Sequence, residues 1–549
     1  MLNLWKQYLI EETGEDRQPI PKGFRIPDNF NFAYDVLDVL GTKTPDRRAM
    51  LWRSVNDEKR TFTFGEMKEM SDRAAGYLSS LGIRKGDKIM LILKRHYQFW
   101  FAILGLHKIG AVAVPATHQL RCDDLSYRFK EASIHSVICT LQEGEKVAKQ
   151  VEKAAADYGK MQNFIGVNGR RDGWLSFDDG LDEYHPFTRP TGAQATSSND
   201  MMLLYFTSGT TDQPKMVAHD FSYPIAHIAT AKYWQKVVPD GLHLTVSETG
   251  WAKSVWGKLY GQWLMEAGIY VYDFDRFSPR KLLEYIEADG ITTFCAPPTI
   301  YRFLLQENLD DYDLSSLTHV TIAGEALNPE VYERFLRKTG LELKEGFGQT
   351  ETTLTVVTNY WMKTKPGSMG RPSPFYNVEL LDHECNPVED HETGEICIRT
   401  GTEKIPGLFS GYYLDEALTA QVWSDGIYHT GDLAFRDEEG YFWFIGRKDD
   451  LIKSAGYRVS AFEVESVLME HPAVMECAVT GVTDEARGQS IKATIKLAPG
   501  YEQNGHLKRD ILRFMKKRTA SYKQPRSIVF VDELPKTISG KIRRVELRR

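Results

Sequence analysis

Short apolar runs separated by helical periodicity confine this chain to sheets flanked by helices. Thr63 and Glu66 have the spacing of a capping box, Glu66 to Leu81 repeats its apolar residues at helical intervals, and Lys88-Ile-Met-Leu-Ile-Leu93 is a continuous apolar strand. A helix over Tyr97 to Ile109 and strands at Ala111-Val-Ala-Val-Pro115 and His135-Ser-Val-Ile-Cys-Thr140 repeat the pattern, which predicts βαβ units around a parallel sheet. The alternation returns from about Met201 to Phe347. There Lys281 to Ala288 reads as helix, Thr293-Phe-Cys-Ala296 as strand, and His319-Val-Thr-Ile-Ala323 as a strand ending at Gly324-Glu325.

From Pro366 to Tyr441 short alternating strands such as Gly394-Glu-Ile-Cys-Ile-Arg399 and Gly440-Tyr-Phe-Trp-Phe-Ile445 predict a small β subdomain. Beyond Gly446, Ser460 caps a helix with Glu463 completing the box, Met475 to Thr480 and Ile491 to Leu497 read as strands, and Leu507 to Arg518 as a basic helix. The expected fold class is therefore α/β: a large N-terminal domain (1–446) of two packed α/β subdomains plus a small β subdomain, and a mobile α+β C-terminal domain (447–549). A length of 549 residues, 42% hydrophobic and 26% charged, suits a multidomain globular protein.

A net charge of -7 offers no global attraction to nucleic acid or an anionic membrane, although Lys and Arg crowd the segment from Lys508 to Arg549. The six cysteines, Cys122, Cys139, Cys295, Cys385, Cys397 and Cys477, form no C-x-x-C pair, so the spacing indicates neither a zinc site nor a disulfide framework. They read as reduced cytoplasmic thiols. Met1 to Asp16 lacks the pattern of a signal peptide, and no uncharged apolar stretch reaches membrane-spanning length. The sequence leaves self-association open.

Tyr205-Phe-Thr-Ser-Gly-Thr-Thr-Asp-Gln-Pro-Lys215 carries the strongest chemical signal. Backbone N–H groups freed by Gly209, hydroxyls of Thr207, Ser208, Thr210 and Thr211, and the charge of Lys215 suit phosphate oxygens. A Walker A loop is excluded, because its second glycine and the Ser/Thr after the lysine are missing. Taken alone, the segment reads equally as a polar surface loop.

Glu345-Gly-Phe-Gly-Gln-Thr-Glu351, Tyr428-His-Thr-Gly-Asp432, Gly446-Arg-Lys-Asp-Asp450, Ser454-Ala-Gly-Tyr-Arg458 and Pro535-Lys-Thr-Ile-Ser-Gly-Lys541 follow in order. Together these motifs resemble the adenylate-forming superfamily of acyl-CoA synthetases, peptide-synthetase adenylation domains and luciferases. Ser247-Glu-Thr-Gly-Trp251, Trp256-Gly-Lys-Leu-Tyr-Gly-Gln262, Phe294-Cys-Ala-Pro-Pro-Thr299 and Arg487-Gly-Gln489 make the medium-chain acyl-CoA synthetases the nearest resemblance. One departure is Asp212, which stands where the family's phosphate loop usually has glycine and would repel phosphate if it faced the ligand.

The resemblance implies ATP, Mg²⁺ and coenzyme A as cofactors and a carboxylic acid as substrate. Gly324-Glu325-Ala326 and Glu345, Gly346, Phe347, Gly348, Gln349 and Thr350 would frame adenine and the α-phosphate, and Glu351 would hold Mg²⁺. Asp432 would bind the ribose hydroxyls and Arg447 ribose or phosphate. Lys541, with Glu351 and Thr210, would carry adenylation, since carboxylate attack on a phosphate needs positive charge beside the meeting oxygens. Asp449 matches the hinge about which the C-terminal domain rotates. Gly456, with Ala455, Tyr457 and Arg458, would pass the pantetheine arm, and Arg487 and Lys516 would receive the nucleotide end of coenzyme A. The acid pocket would lie near Trp234, Trp251, Lys253, Cys295, Gly346 and Leu354, with Trp251 limiting chain length. Each residue alone reads as readily as core or surface. Two other readings compete: an adenylation enzyme loading a carrier protein, and a noncatalytic nucleotide-binding relative.

Overall fold

The computed structural model describes the chain except residues 16, 55, 143, 145, 208–212, 326, 402–403, 455–456, 485–487, 537–541 and 549, and the side chains of 457 and 458. The alternating segments form two large sheets. In the first, seven-stranded sheet, Lys88–Ile92, Val112–Pro115, Ser136–Thr140 and Asn163–Val167 run parallel. In the second, nine-stranded sheet, Leu242–Thr245, Gly268–Asp273, Thr293–Ala296, His319–Ile322 and Leu343–Gly348 do the same. Several predicted strands lie within a residue of their expected bounds because uninterrupted apolar runs suit strands covered on both faces.

Sheet membership departs from sequence order. The hairpin Met201–Thr207 and Lys215–Asp220, which opens the second run of alternation, instead extends the first sheet by pairing Leu203 with Ala113. Conversely, Arg48–Ser54 and Lys59–Thr63 extend the second sheet, where Ile269 pairs with Met50. Each large sheet thus gains an antiparallel hairpin from sequence next to the other's strands. One continuous core joins them: Ile89 and Leu91 of the first sheet share it with Ile269 and Val271 of the second, and the helix Gln98–Ile109 is buried over its whole length.

Thr63 and Glu66 form the predicted capping box, the threonine hydroxyl accepting from Glu66 N–H and the Glu66 carboxylate from Thr63 N–H. Ser460 does cap Ala461–Met469, but the second half of its predicted box is replaced: the Glu463 carboxylate bonds Lys523. A full charge is a stronger partner than a backbone amide.

The small β subdomain is a five-stranded antiparallel sheet that includes Gly394–Arg399, Ile427–Arg436 and Phe442–Arg447. Its last strand ends at Arg447, and Ile452–Ser454 already belongs to the next five-stranded sheet, whose central strand Gly488–Leu497 pairs along its length with Val474–Asp484. The basic helix Gly505–Arg518 buries Ile511 and Met515 in this C-terminal core and leaves Lys516 exposed. Among the described residues, no helix is long and apolar enough to cross a membrane.

Candidate active site

The strand Leu343–Gly348 and the turn after it organise the site. Gly346 packs against an apolar cluster: a Cβ there would stand 2.8 Å from Trp234 Cε2 and 3.1 Å from Leu354 Cδ2, so only glycine leaves room. Trp234, Cys295, Ala323 and Val357 form one buried apolar cluster, with Leu354 and Trp256 packed against it. Trp234 Nε1 donates to Lys344 O at 3.0 Å, which fixes the indole against this strand. Lys253 reaches the rim, its ammonium donating to Ala323 O at 2.7 Å beside Gly324, whose φ of +105° favours glycine. Glu325 is exposed and accepts from Thr299 Oγ1 at 3.1 Å.

Five of the six residues expected at the acid pocket, Trp234, Lys253, Cys295, Gly346 and Leu354, therefore surround one cluster. Trp251 stands instead at the N-cap of Ala252–Gly257, and the second tryptophan against the cluster is Trp256, with ring centroids 6.1 Å from Trp234. The segment around Trp256 holds it in place. Gln262 Nε2 donates to Trp256 O at 3.1 Å and to Gln235 Oε1 at 2.6 Å, while a Cβ on Gly261 would meet His227 O at 2.3 Å.

At the turn after Gly348, polar groups are interlocked. Gln349 Nε2 donates to Asp432 and to Thr430 O at 2.8 Å, and its Oε1 accepts from the Tyr428 hydroxyl at 2.8 Å. Arg447, the cross-strand partner of Asp432, donates to Asp432 Oδ2 at 3.2 Å and to Thr430 O at 2.7 Å. Burial works against the Arg447 charge, yet Asp432 and Asp449 more than offset it and its pKa stands raised. Glu351 accepts from the Tyr412 hydroxyl at 2.9 Å, and Lys215 lies 5.0 Å over the Tyr412 ring. Lys215 and Thr207 face each other across the hairpin that carries the phosphate-loop motif.

His219, four residues beyond Lys215, makes a contact that the motifs do not reveal. Burial holds its imidazole neutral, with a pKa lowered to about 4, and Nε2–H donates to Thr350 O at 2.7 Å. This ties the phosphate-loop strand to the residue before Glu351. Tyr412 was missed as well, being an isolated tyrosine with no motif around it. Glu345 faces inward: burial pushes its carboxyl up to about 8, only partly countered by the Leu327 N–H. Phe347 packs at a tilt against Phe444, 6.1 Å between ring centroids, and Phe444 in turn meets Phe462 edge-on at 5.6 Å.

Ser208, Gly209, Thr210, Thr211, Asp212, Ala326, Ala455, Gly456, Arg487, Thr537, Ser539 and Lys541 lie outside the described residues, as do the side chains of Tyr457 and Arg458. Asp449 is exposed beside Arg447, whose Nε donates to it at 3.3 Å.

Comparison with known proteins then decides the family. The model for AMP-binding enzymes matches residues 38–413, and that for the AMP-binding enzyme C-terminal domain matches residues 463–541. The chain belongs to the AMP-binding enzyme family. Among its relatives, the mitochondrial acyl-coenzyme A synthetase ACSM3 of Rattus norvegicus is 37% identical over 561 residues, covering 100% of this chain and 95% of that one. The 4-hydroxybutyrate–CoA ligase 1 of Metallosphaera sedula is 40% identical over 525 residues, covering 95% of this chain and 90% of that one. The structure of the anthranilate CoA ligase AuaEII in complex with anthranoyl-AMP matches with a TM-score of 0.85 at 27% identity, over 95% of this chain and 97% of that one. The benzoate CoA ligase of Burkholderia xenovorans gives 0.83 at 27% identity, over 95% and 100%. The AMP-binding enzyme fold read from the motifs thus extends along nearly the whole chain.

Proposed function

We propose that this enzyme, an adenylate-forming acid–coenzyme A ligase, acts on a short-to-medium straight, branched or aromatic carboxylic acid. One observation carries the reading: the strand Leu343–Gly348 gives Gly346 to the apolar cluster, and the turn directly after it gives Gln349 and Glu351 to the nucleotide cluster. Three to five residues of chain span at most roughly 10–17 Å, and the turn brings the two clusters closer still. An acid lying along the apolar walls then presents its carboxylate toward the α-phosphate, which is the geometry that adenylation requires.

Asp432, held by Gln349, binds the ribose hydroxyls, with Arg447 turning from Asp432 toward ribose or phosphate. The phosphate-loop residues Thr207 to Thr211 and Lys215 hold the phosphates. Glu351 fits Mg²⁺, since a carboxylate is a hard oxygen ligand and Tyr412 engages only its Oε1. The ion would neutralise phosphate charge. Lys541 places its ammonium beside the attacking and bridging oxygens, with Thr210 beside the leaving pyrophosphate. Rotation about Asp449 then brings Gly456, Arg487 and Lys516 to coenzyme A, and the thiol displaces AMP from the acyl carbonyl. Trp234 and Leu354 close the acid cluster behind Gly346, and they also wall a narrow crevice with Thr230, Tyr233 and Phe375. Long unbranched chains have little room there. All six cysteines are free thiols, which suits a reducing compartment such as the cytoplasm.

The test is a panel of acids from acetate through decanoate, with branched acids and benzoate, assayed for pyrophosphate release and thioester. Acid-dependent release with a maximum below the long chains is expected. Release independent of acid would overturn the proposal.

A further inference from the structure

Beside the Gln349–Asp432 cluster, three metal-ligating side chains meet on one face of the small β subdomain. Cys397 and His429 are direct cross-strand partners, and Glu395 lies two residues before Cys397, so the pleat puts all three on the same face. Cys397 Sγ is 3.4 Å from His429 Nδ1, and Glu395 Oε2 is 3.3 Å from that same nitrogen. All three ligand atoms lie within 4.8 Å of one another. Tetrahedral zinc with ordinary bond lengths holds sulfur and nitrogen about 3.5 Å apart, and nitrogen and oxygen about 3.4 Å apart.

We propose that Glu395, Cys397 and His429 form a binding site for a borderline-soft divalent cation of the zinc type. The donor set is a thiolate, an imidazole nitrogen and a carboxylate oxygen, which favours zinc over magnesium or calcium. Glu395 and Cys397 are buried, so two ligands are held in place without the ion, and the more exposed His429 leaves the fourth position to water. Glu395 is further fixed by Gly431 N–H, which donates to its Oε1 at 2.9 Å.

Lys448 now lies 3.1 Å from Glu395 Oε2 and would be displaced. Its side chain is 62% exposed, so it moves into water at small cost. On binding, the Cys397 S–H bond breaks, its proton passes to solvent, and sulfur forms the metal bond; His429 keeps its proton on Nε2 and coordinates through Nδ1. The spacing of the sequence hid this site, because the ligands come from two strands joined only by the fold.

Full-length protein titrated with Co²⁺ alone tests the site. A thiolate-to-cobalt charge-transfer band should appear, be displaced by Zn²⁺, and vanish in Cys397→Ser of unchanged circular dichroism. In His429→Ala the Co²⁺ affinity should fall about tenfold or more. No band in the parent, or a band that survives in Cys397→Ser, would overturn the proposal. If Cys397→Ser unfolds, His429→Ala decides alone: unchanged Co²⁺ affinity overturns it, and the tenfold loss sustains it.

Discussion

The apolar cluster proposed for the acid and the polar cluster proposed for the nucleotide sit at opposite ends of one short stretch of chain, yet they are built in contrasting ways. Around Gly346 the walls are apolar and the shape is set by Trp234, Trp256 and Leu354. Around Asp432 the shape is set by hydrogen bonds, and the same carboxylate already serves Gln349 and Arg447. An apolar wall selects by volume and costs nothing to desolvate. A polar cluster must exchange bonds when its ligand arrives, so its binding depends on geometry and charge. Substrate choice and nucleotide binding should accordingly respond to different substitutions.

The proposed mechanism also needs a group outside both clusters, and Lys541→Ala should have the largest effect. Adenylation should fall by about a hundredfold or more, the loss typical of an electrostatic stabiliser, with a much smaller change in the ATP KM. Thioester formation from preformed acyl-adenylate and coenzyme A should stay near the parent rate. Equal loss in both half-reactions would assign the lysine a structural role.

Asp432→Ala attacks the polar side. It removes the acceptor shared by Gln349 and Arg447, and charged hydrogen bonds of this kind contribute about 1.5–3 kcal/mol each. An ATP KM raised by roughly tenfold to a hundredfold is expected, while the ranking of acids stays the same. A changed ranking would mean that the two clusters are not separable.

A pair of tryptophan variants sharpens the apolar side. The sequence resemblance gives Trp251 the role of limiting chain length, whereas the structure packs Trp256 against Trp234. Trp256→Gly should move the preferred chain length upward by more than Trp251→Gly does, because deleting an indole opens volume only where that indole is a wall. Chain-length profiles of both variants against the parent check this, and the reverse order would shift the end of the pocket to Trp251.

The smallest effect concerns stability. Glu345 supports the site from within, and its carboxyl is held protonated up to about pH 8 by burial. Below the ordinary carboxylate pKa of 4.5 both folded and unfolded states bind the proton, so no penalty exists. As pH rises from there the unfolded chain ionises first, and stability is lost progressively until about pH 8, where the native group ionises too. Glu345→Gln should therefore flatten the decline of Tm between pH 5 and about pH 8. Parallel Tm–pH curves for the two proteins would show that Glu345 does not titrate in this way.

Local patterns survived translation into structure better than long-range ones. The Thr63 and Glu66 box, the strand Thr293–Ala296 and the apolar run starting at Lys88 depend on neighbours in sequence, and they lie where the periodicity places them. The exchange of hairpins between the two sheets depends on pairings such as Leu203 with Ala113 and Ile269 with Met50, for which no local pattern exists. Site residues follow the same division. Glu351, Asp432 and Lys215 stand in motifs, whereas Tyr412 and His219 come to the site through contacts with residues far along the chain, and Trp256, though it opens a motif, meets Trp234 only in the fold. Glu395, Cys397 and His429 show the extreme case, since a bulged pair of strands alone brings them together.

The central claim, that an acid bound at Gly346 attacks the α-phosphate of a nucleotide held by Asp432 and Glu351, can be read from one atom. With a carboxylate labelled by ¹⁸O in both oxygens, attack on the α-phosphate leaves one labelled oxygen in AMP after coenzyme A takes the acyl group. The account predicts AMP carrying a single ¹⁸O, with pyrophosphate unlabelled. Label in pyrophosphate or in inorganic phosphate, or none in AMP, would contradict it.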